Sequence, residues 1–155
     1  MAKMRFQSQY DHERQWIESA LEVILSEPKL PFNLACRNLW NLYALDYESE
    51  SALQQFSDIV ISTHPDKLNE IDVAHTLRAL SHFNCKRYEC IEQLLKLTIR
   101  KADIYKIQTL ADVIHSLAEL EVINPTLMQI TKQILLKKLD NKAVGPHGEP
   151  INIDH

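Results

Sequence analysis

Apolar positions recur along this chain at a spacing of about 37 residues, three times between Asn33 and Lys138. Leu39, Leu77 and Ile114 correspond, as do Leu42, Leu80 and Leu117, then Leu45, Phe83 and Leu120, and Cys36, Ala74 and Ala111. A second set pairs Leu53, Ile91 and Leu127, then Phe56, Leu94 and Ile130, then Val60, Thr98 and Ile134. The first set is offset by 38 and 37 residues and the second by 38 and 36, so the last unit is one loop residue shorter. Trp16 or Ile17, Ala20 and Ile24 match the second set again, upstream. Within each set the spacing is helical, so the pattern predicts three helix pairs preceded by half a pair. Such units cover their apolar faces only against neighbours, and stacking makes the core. The expected fold is therefore all-α, a short right-handed α-solenoid of about seven helices.

Glycine usage points the same way. The chain has 155 residues and two glycines, Gly145 and Gly148, both near its C-terminal end. A β-rich or α/β domain would have to form every tight turn up to residue 145 without glycine. The same scarcity removes glycine-rich phosphate loops and dinucleotide fingerprints, and with them the common nucleotide-binding enzymes. A hydrophobic fraction of 45% suffices for a core. No apolar run approaches the roughly 18 residues that span a bilayer, and the start MAKMRFQSQYDHERQW has no signal-peptide core. Three cysteines, Cys36, Cys85 and Cys90, are an odd number that argues against a disulfide framework and for a reducing compartment, cytoplasm or organelle matrix.

Punctuation sets the helix limits. A first helix is expected from Asp11 to Leu25 with Trp16, Ile17, Ala20, Val23 and Ile24 on one face, ended by Pro28 and Pro31. Asn33 is the expected N-cap of the second, which runs to about Leu45. The others are expected over about 51–62, 70–83, 87–101, 107–121 and from Pro125, with Asn124 as the last N-cap and proline at the first helical position. Residues 1–10 read as an N-terminal arm, 11–138 as the helical domain, and 139–155 as an extended tail.

Several clusters invite a chemical reading. His64-Pro65-Asp66 copies the tripeptide of J-domain co-chaperones, but the segment Ser51 to Thr63 lacks the basic residues such a domain carries, and a Pro-Asp turn explains the same residues. His75, His82, Cys85 and Cys90 lie within 16 residues, yet no CxxC or HxxxH pair occurs among them, and Cys85 holds the small apolar position of Tyr47 and Val122. No nucleophile, base and orienter share a recognisable spacing. Neither a catalytic residue, a metal, a cofactor nor a small-molecule substrate is expected.

Charge bears on the partner. The net charge is −4, against a dedicated nucleic-acid module. Residues 1–85 carry 7 basic and 12 acidic side chains, whereas residues 86–142 carry 10 basic and 7 acidic. Lys96, Arg100 and Lys101 end one helix and Lys132, Lys137 and Lys138 another, a basic corner able to touch phosphate or simply to complement helix C-termini.

The paired helices of about 37 residues over 10–138 resemble the degenerate organellar repeats of the pentatricopeptide, octotricopeptide and heptatricopeptide superfamily. Pro65-Asp66 resembles the pair found near the end of a pentatricopeptide unit. Long arrays of that superfamily read single-stranded RNA, one unit per base; three units span few bases, and the corresponding Asn38, Thr76 and Val113 carry no polar code. With three units and 18.0 kDa the chain is also similar to the small accessory subunits attached to the catalytic heads of euglenozoan mitochondrial ATP synthases. That resemblance implies a structural attachment to a protein and a mitochondrial matrix location. The reading is a non-catalytic accessory or scaffold subunit binding a protein partner, with a small organellar RNA-binding protein as the alternative. Arg37, Asn41, Arg78, Asp112 and His115 are the expected exposed contacts, and Trp40 and Tyr43 the aromatic anchors, Trp40 serving equally as a core residue. Ile151 and Ile153 alternate with polar residues in the tail, as in a peptide docked in extended form.

Overall fold

A computed structural model describes the backbone of residues 2–143 and the side chains of residues 11–140, and the chain is all-helical over these residues. The helices are α1 (Ala2–Leu25), α2 (Phe32–Ala44), α3 (Glu50–Ser62), α4 (Glu70–His82), α5 (Tyr88–Lys101), α6 (Ile107–Glu119) and α7 (Pro125–Ala143). A single 3-10 turn, Pro65–Lys67, precedes α4. None of the helices is long and apolar enough to cross a membrane.

The helices fall into two layers. The even helices pack side by side, α4 between α2 and α6, while α3 lies against α1 and α5, and α5 against α7. Leu39, Phe56, Leu77, Leu80, Ile91 and Leu94 are fully buried between the layers and form the centre of the main core. A smaller cluster of Ala102, Tyr105 and Leu110, with Ile130 and Ile134 packed on it, lies near the C-terminal end.

The even helices all end in the same way, which explains how a chain so poor in glycine turns so sharply. Asp46, Asn84 and Glu121 have φ of 50°, 49° and 62°, the left-handed conformation usually given to glycine after a helix. At each, the next N–H reaches back to a carbonyl five residues earlier: Tyr47 to Leu42 at 3.0 Å, Cys85 to Leu80 at 2.8 Å and Val122 to Leu117 at 2.8 Å. The left-handed residue itself donates to Tyr43, Ser81 or Ala118 at 3.0, 3.1 and 3.0 Å, which completes a Schellman turn. Tyr47, Cys85 and Val122 then fold onto the core and offset part of the backbone cost.

N-termini vary more. Ser49 caps α3 through Ala52 N–H at 3.2 Å, Asn69 and Asp72 form a reciprocal capping box on α4, and Asn124 caps α7 through Leu127 N–H at 2.9 Å. Asn33 is not the N-cap of α2: Pro31 occupies that place in an extended conformation, and its ring has no side-chain group to accept a cap hydrogen bond.

Three further expectations change in the structure. Residues 2–10 continue α1 instead of forming a separate arm, since no proline or glycine interrupts the chain before Pro28. Residues 139–143 likewise belong to α7, whose first breaker is Gly145. On α1 the inward stripe is Ile17, Leu21, Ile24 and Leu25, whereas Trp16 is 69% exposed and Val23 and Ala20 also face outward. Among the described residues α1 packs mainly against α3, so only a narrow stripe of it is covered.

Candidate interaction groove

The even helices place an aromatic and charged groove of about 340 Å³ along their outer side, lined by Trp40, Tyr43, Ile71, Ala74, His75, Arg78, Thr109 and Asp112. The last two turns of α2, the first three turns of α4 and the first two turns of α6 supply these residues. Cys36 and Thr76 fix the closeness of α2 and α4, with the Thr76 hydroxyl donating to the Cys36 sulfur at 3.5 Å in the interior.

The Trp40 indole stacks on the His75 ring, centroids 4.4 Å apart and 23° between planes, and lies 5.0 Å from the Tyr43 ring. Tyr43 also meets His82 edge to face at 5.0 Å, and His82 Nε2 contacts Asp46 Oδ1 at 2.7 Å. Arg78 lies over Tyr43 with its guanidinium carbon 5.9 Å from the ring centroid, and its Nη2 is 3.7 Å from Asp112 Oδ1. Partial burial lowers the pKa of His75 and outweighs the opposing effect of Asp72, while Arg37 lowers it further, so the imidazole on Trp40 is neutral at pH 7. Beyond the groove, Glu119 accepts from the Ser81 hydroxyl at 2.5 Å and contacts His115 Nε2 at 2.9 Å; the serine bond does most to hold its carboxyl below the usual range.

One geometric relation builds the groove twice. Trp40 on α2 meets His75 on α4, and Arg78 on α4 meets Asp112 on α6. Trp40 and Arg78 are corresponding positions, as are His75 and Asp112, and each partner lies three residues before the position that corresponds to the first member. Trp40, Tyr43, Arg78 and Asp112 thus come together in one lining, Arg78 and Asp112 half-buried where exposure was expected. Trp40 is half-buried and forms part of the groove wall. Arg37 is exposed beside His75, Asn41 is exposed on α2 outside the lining, and His115 is exposed and turned to Glu119. Ile151 and Ile153 lie outside the described residues. His75, Ile71 and Thr109 are additions, visible only when residues three before a corresponding position are read across to the neighbouring helix.

The basic corner is largely committed to internal contacts. Arg100 Nη2 and Lys101 Nζ both reach Asp66 Oδ1, at 3.0 and 3.9 Å, Lys96 pairs with Glu92 at 3.3 Å, and Lys138 donates to the Tyr105 carbonyl at 3.4 Å. Lys132 and Lys137 are exposed on α7. Asp66 belongs to the His64-Pro65-Asp66 segment, where His64 Nδ1 accepts the Asp66 N–H at 3.2 Å and starts the 3-10 turn. The tripeptide is therefore a turn pinned to α5.

Cys36 and Cys90 are buried, and burial pushes their thiols up to about 11 and about 12. Both are protonated at neutral pH, a poor state for a nucleophile or a metal ligand. Among the described residues no group of three or more His, Cys, Asp or Glu side chains is placed to hold a metal ion.

The fold and groove define a class, an all-helical protein with an aromatic, charge-paired surface running across three helices. Compared with known proteins, the chain matches no family model, no curated protein and no solved structure.

Proposed function

We propose that the chain is a short right-handed α-solenoid, three helix pairs and an N-terminal half pair, that acts as a non-catalytic accessory or scaffold subunit and binds a protein partner along the groove of α2, α4 and α6. The observation that carries this reading is the set of Trp40, Tyr43, His75 and Arg78 held in contact on an open face. Tryptophan, tyrosine and arginine are the residues that dominate protein interfaces, the two aromatics because they supply large area at low entropic cost. Here their rotamers are ordered before binding by stacking and by the Arg78–Asp112 pair. The charges are balanced within the groove, which suits a protein surface better than a polyphosphate. Asp66 sets the same balance at the basic corner. The repeated Schellman turns at Asp46, Asn84 and Glu121 support the helix-pair repeat. The resemblance to organellar repeats makes a mitochondrial assembly the setting, and the catalytic head of the ATP synthase the first partner to examine.

Purification of the tagged protein from its source, before and after ribonuclease, tests this directly. A stoichiometric protein set should survive ribonuclease and be depleted when Trp40→Ala or Arg78→Ala replaces the wild type. Loss of the set on ribonuclease treatment, or recovery of a defined RNA, would replace this reading with the RNA-binding one.

A further inference from the structure

Among the described residues two arginines are half-buried, Arg78 and Arg87, and their donors are met to very different degrees. Arg87, with 24% of its side chain exposed, places Nη2 2.6 Å from Asp58 Oδ1 and donates from Nη1 to the Gln54 carbonyl at 3.0 Å. Arg78, at 22%, makes no hydrogen bond among the described residues. Its ion pair with Asp112 is 3.7 Å long, beyond hydrogen-bond reach, and Gln108 Nε2 donates to the same carboxylate oxygen at 3.4 Å. Tyr43 and Asp112 therefore aim the guanidinium without occupying its five N–H groups. At this depth unmet charged donors are costly, and a ligand that meets them gains more than it would at the surface.

The surroundings add donors more than acceptors. The Tyr43 and Thr109 hydroxyls, the Trp40 indole N–H and the His75 ring line the same groove and make no hydrogen bond among the described residues. Exposed Arg37 stands beside His75. Of the carboxylates nearby, Asp72 is buried and accepts the Asn69 N–H at 3.0 Å in the capping box of α4, which leaves Asp112 as the one at the lining. What complements a planar fork of this kind is a pair of oxygens in one plane.

Resting on the reading of the groove as a protein-binding site, we propose that it takes an acidic segment of the partner, with a glutamate or aspartate carboxylate seated bidentate on Arg78. An aliphatic side chain next to that carboxylate lies on Ile71, itself 56% exposed, and on Ala74. Because the lining spans α2, α4 and α6, a chain can pass through it, and the carboxylate belongs to a side chain within the segment. A single charge is met by Arg78 and Arg37, whereas a phosphate chain would carry several past Asp112.

The probe is the acetylated and amidated hexapeptide Ala-Leu-Glu-Glu-Leu-Ala, titrated into the ¹⁵N-labelled full chain beside its Gln-Gln counterpart. The Trp40 indole and Arg78 Nε–H resonances are the readout. The Glu peptide should move both and bind at least ~tenfold tighter than the Gln peptide, the usual worth of a charge-assisted pair. Arg78→Lys, which keeps the charge but not the fork, should lose most of that ratio and Arg78→Gln all of it, while Arg100→Gln at the basic corner keeps it. Amide spectra outside the groove check that the variants are folded, and the comparison of the two peptides on the wild type does not depend on them. Equal binding of the two peptides overturns the carboxylate and leaves the protein-binding groove standing. Binding of neither at about 5 mM overturns it too, and the groove is then judged by the protein set that Trp40→Ala depletes. A uridine hexanucleotide that moves these resonances where the Glu peptide does not overturns both.

Discussion

The α4–α5 pair and the α6–α7 pair are built from corresponding residues yet differ in cover. In the first, Leu77, Leu80, Ile91 and Leu94 are fully enclosed because helices lie on both sides. In the second, Leu117 and Leu127 remain buried while Ile114, Ile130 and Ile134 are only partly so, and Ile123, Met128, Leu136 and Leu139 are exposed. The residue types hardly change; the neighbours do. The central helices have neighbours on both sides, whereas apolar surface stays uncovered at the C-terminal end of the described residues. The centre also holds the groove, since only there do three even helices lie side by side.

The comparison can be broken by core truncation. Leu77→Ala should cost about 3 kcal/mol in urea unfolding, the usual loss for a fully enclosed leucine, and Ile114→Ala about half that, because its site is already open on one side. Equal losses would mean that the terminal pair is as enclosed in solution as the central one.

A gain should come from the turns. Glu121 holds the left-handed position at the cost of a clash between its Cβ and the backbone carbonyl that glycine avoids, so Glu121→Gly should stabilise by about 1 kcal/mol, less a few tenths for the exposed Lys86 contact at 3.3 Å. Asn84→Gly should gain less, because asparagine tolerates this conformation better. Both are read from the same denaturation curves, and a loss in Glu121→Gly would contradict the turn geometry.

The smallest effect is on pH. The His75 pKa in the folded chain lies below its ordinary 6.5, so on acidification the unfolded chain takes up the proton first. Stability attached to this group is therefore full above pH 6.5 and declines as the pH falls through the window below it. The melting temperature of wild type should drop more between pH 7 and 5 than that of His75→Gln, and an NMR titration midpoint for His75 above 6.5 would contradict the burial that sets the shift.

Helices were legible in the residues to the extent that apolar spacing and prolines report them. The five inner helices, α2 to α6, begin and end within two residues of the periodic segments, because Pro28, Pro31 and Pro65 and the polar runs between segments leave little choice. The ends escaped. Nothing in residues 2–10 or 139–143 marks a stop, and helical propensity carries α1 and α7 through them. The inward stripe of α1 was shifted because Trp16 is the largest apolar residue there, but orientation is decided mainly by packing against α3. The Schellman turns were hidden by the absence of glycine: Asp46, Asn84 and Glu121 look like ordinary polar loop residues until their backbone is seen. Trp40, Tyr43, Arg78 and Asp112 could be picked by type, but His75 was grouped with its sequence neighbours His82, Cys85 and Cys90, while the side chain it stacks on is Trp40, 35 residues away.

The claim that the groove meets a protein is tested most directly by a photo-cross-linker placed in it. Ile71 lines the groove and is 56% exposed, so Ile71→p-benzoylphenylalanine puts the reactive ketone at its mouth while leaving Trp40, His75 and Arg78 in place. Irradiated in its native setting, the protein should give one discrete protein adduct that is insensitive to ribonuclease and missing when the cross-linker stands at Arg100 instead. An RNA adduct at position 71, or an adduct pattern identical from both positions, would contradict the account.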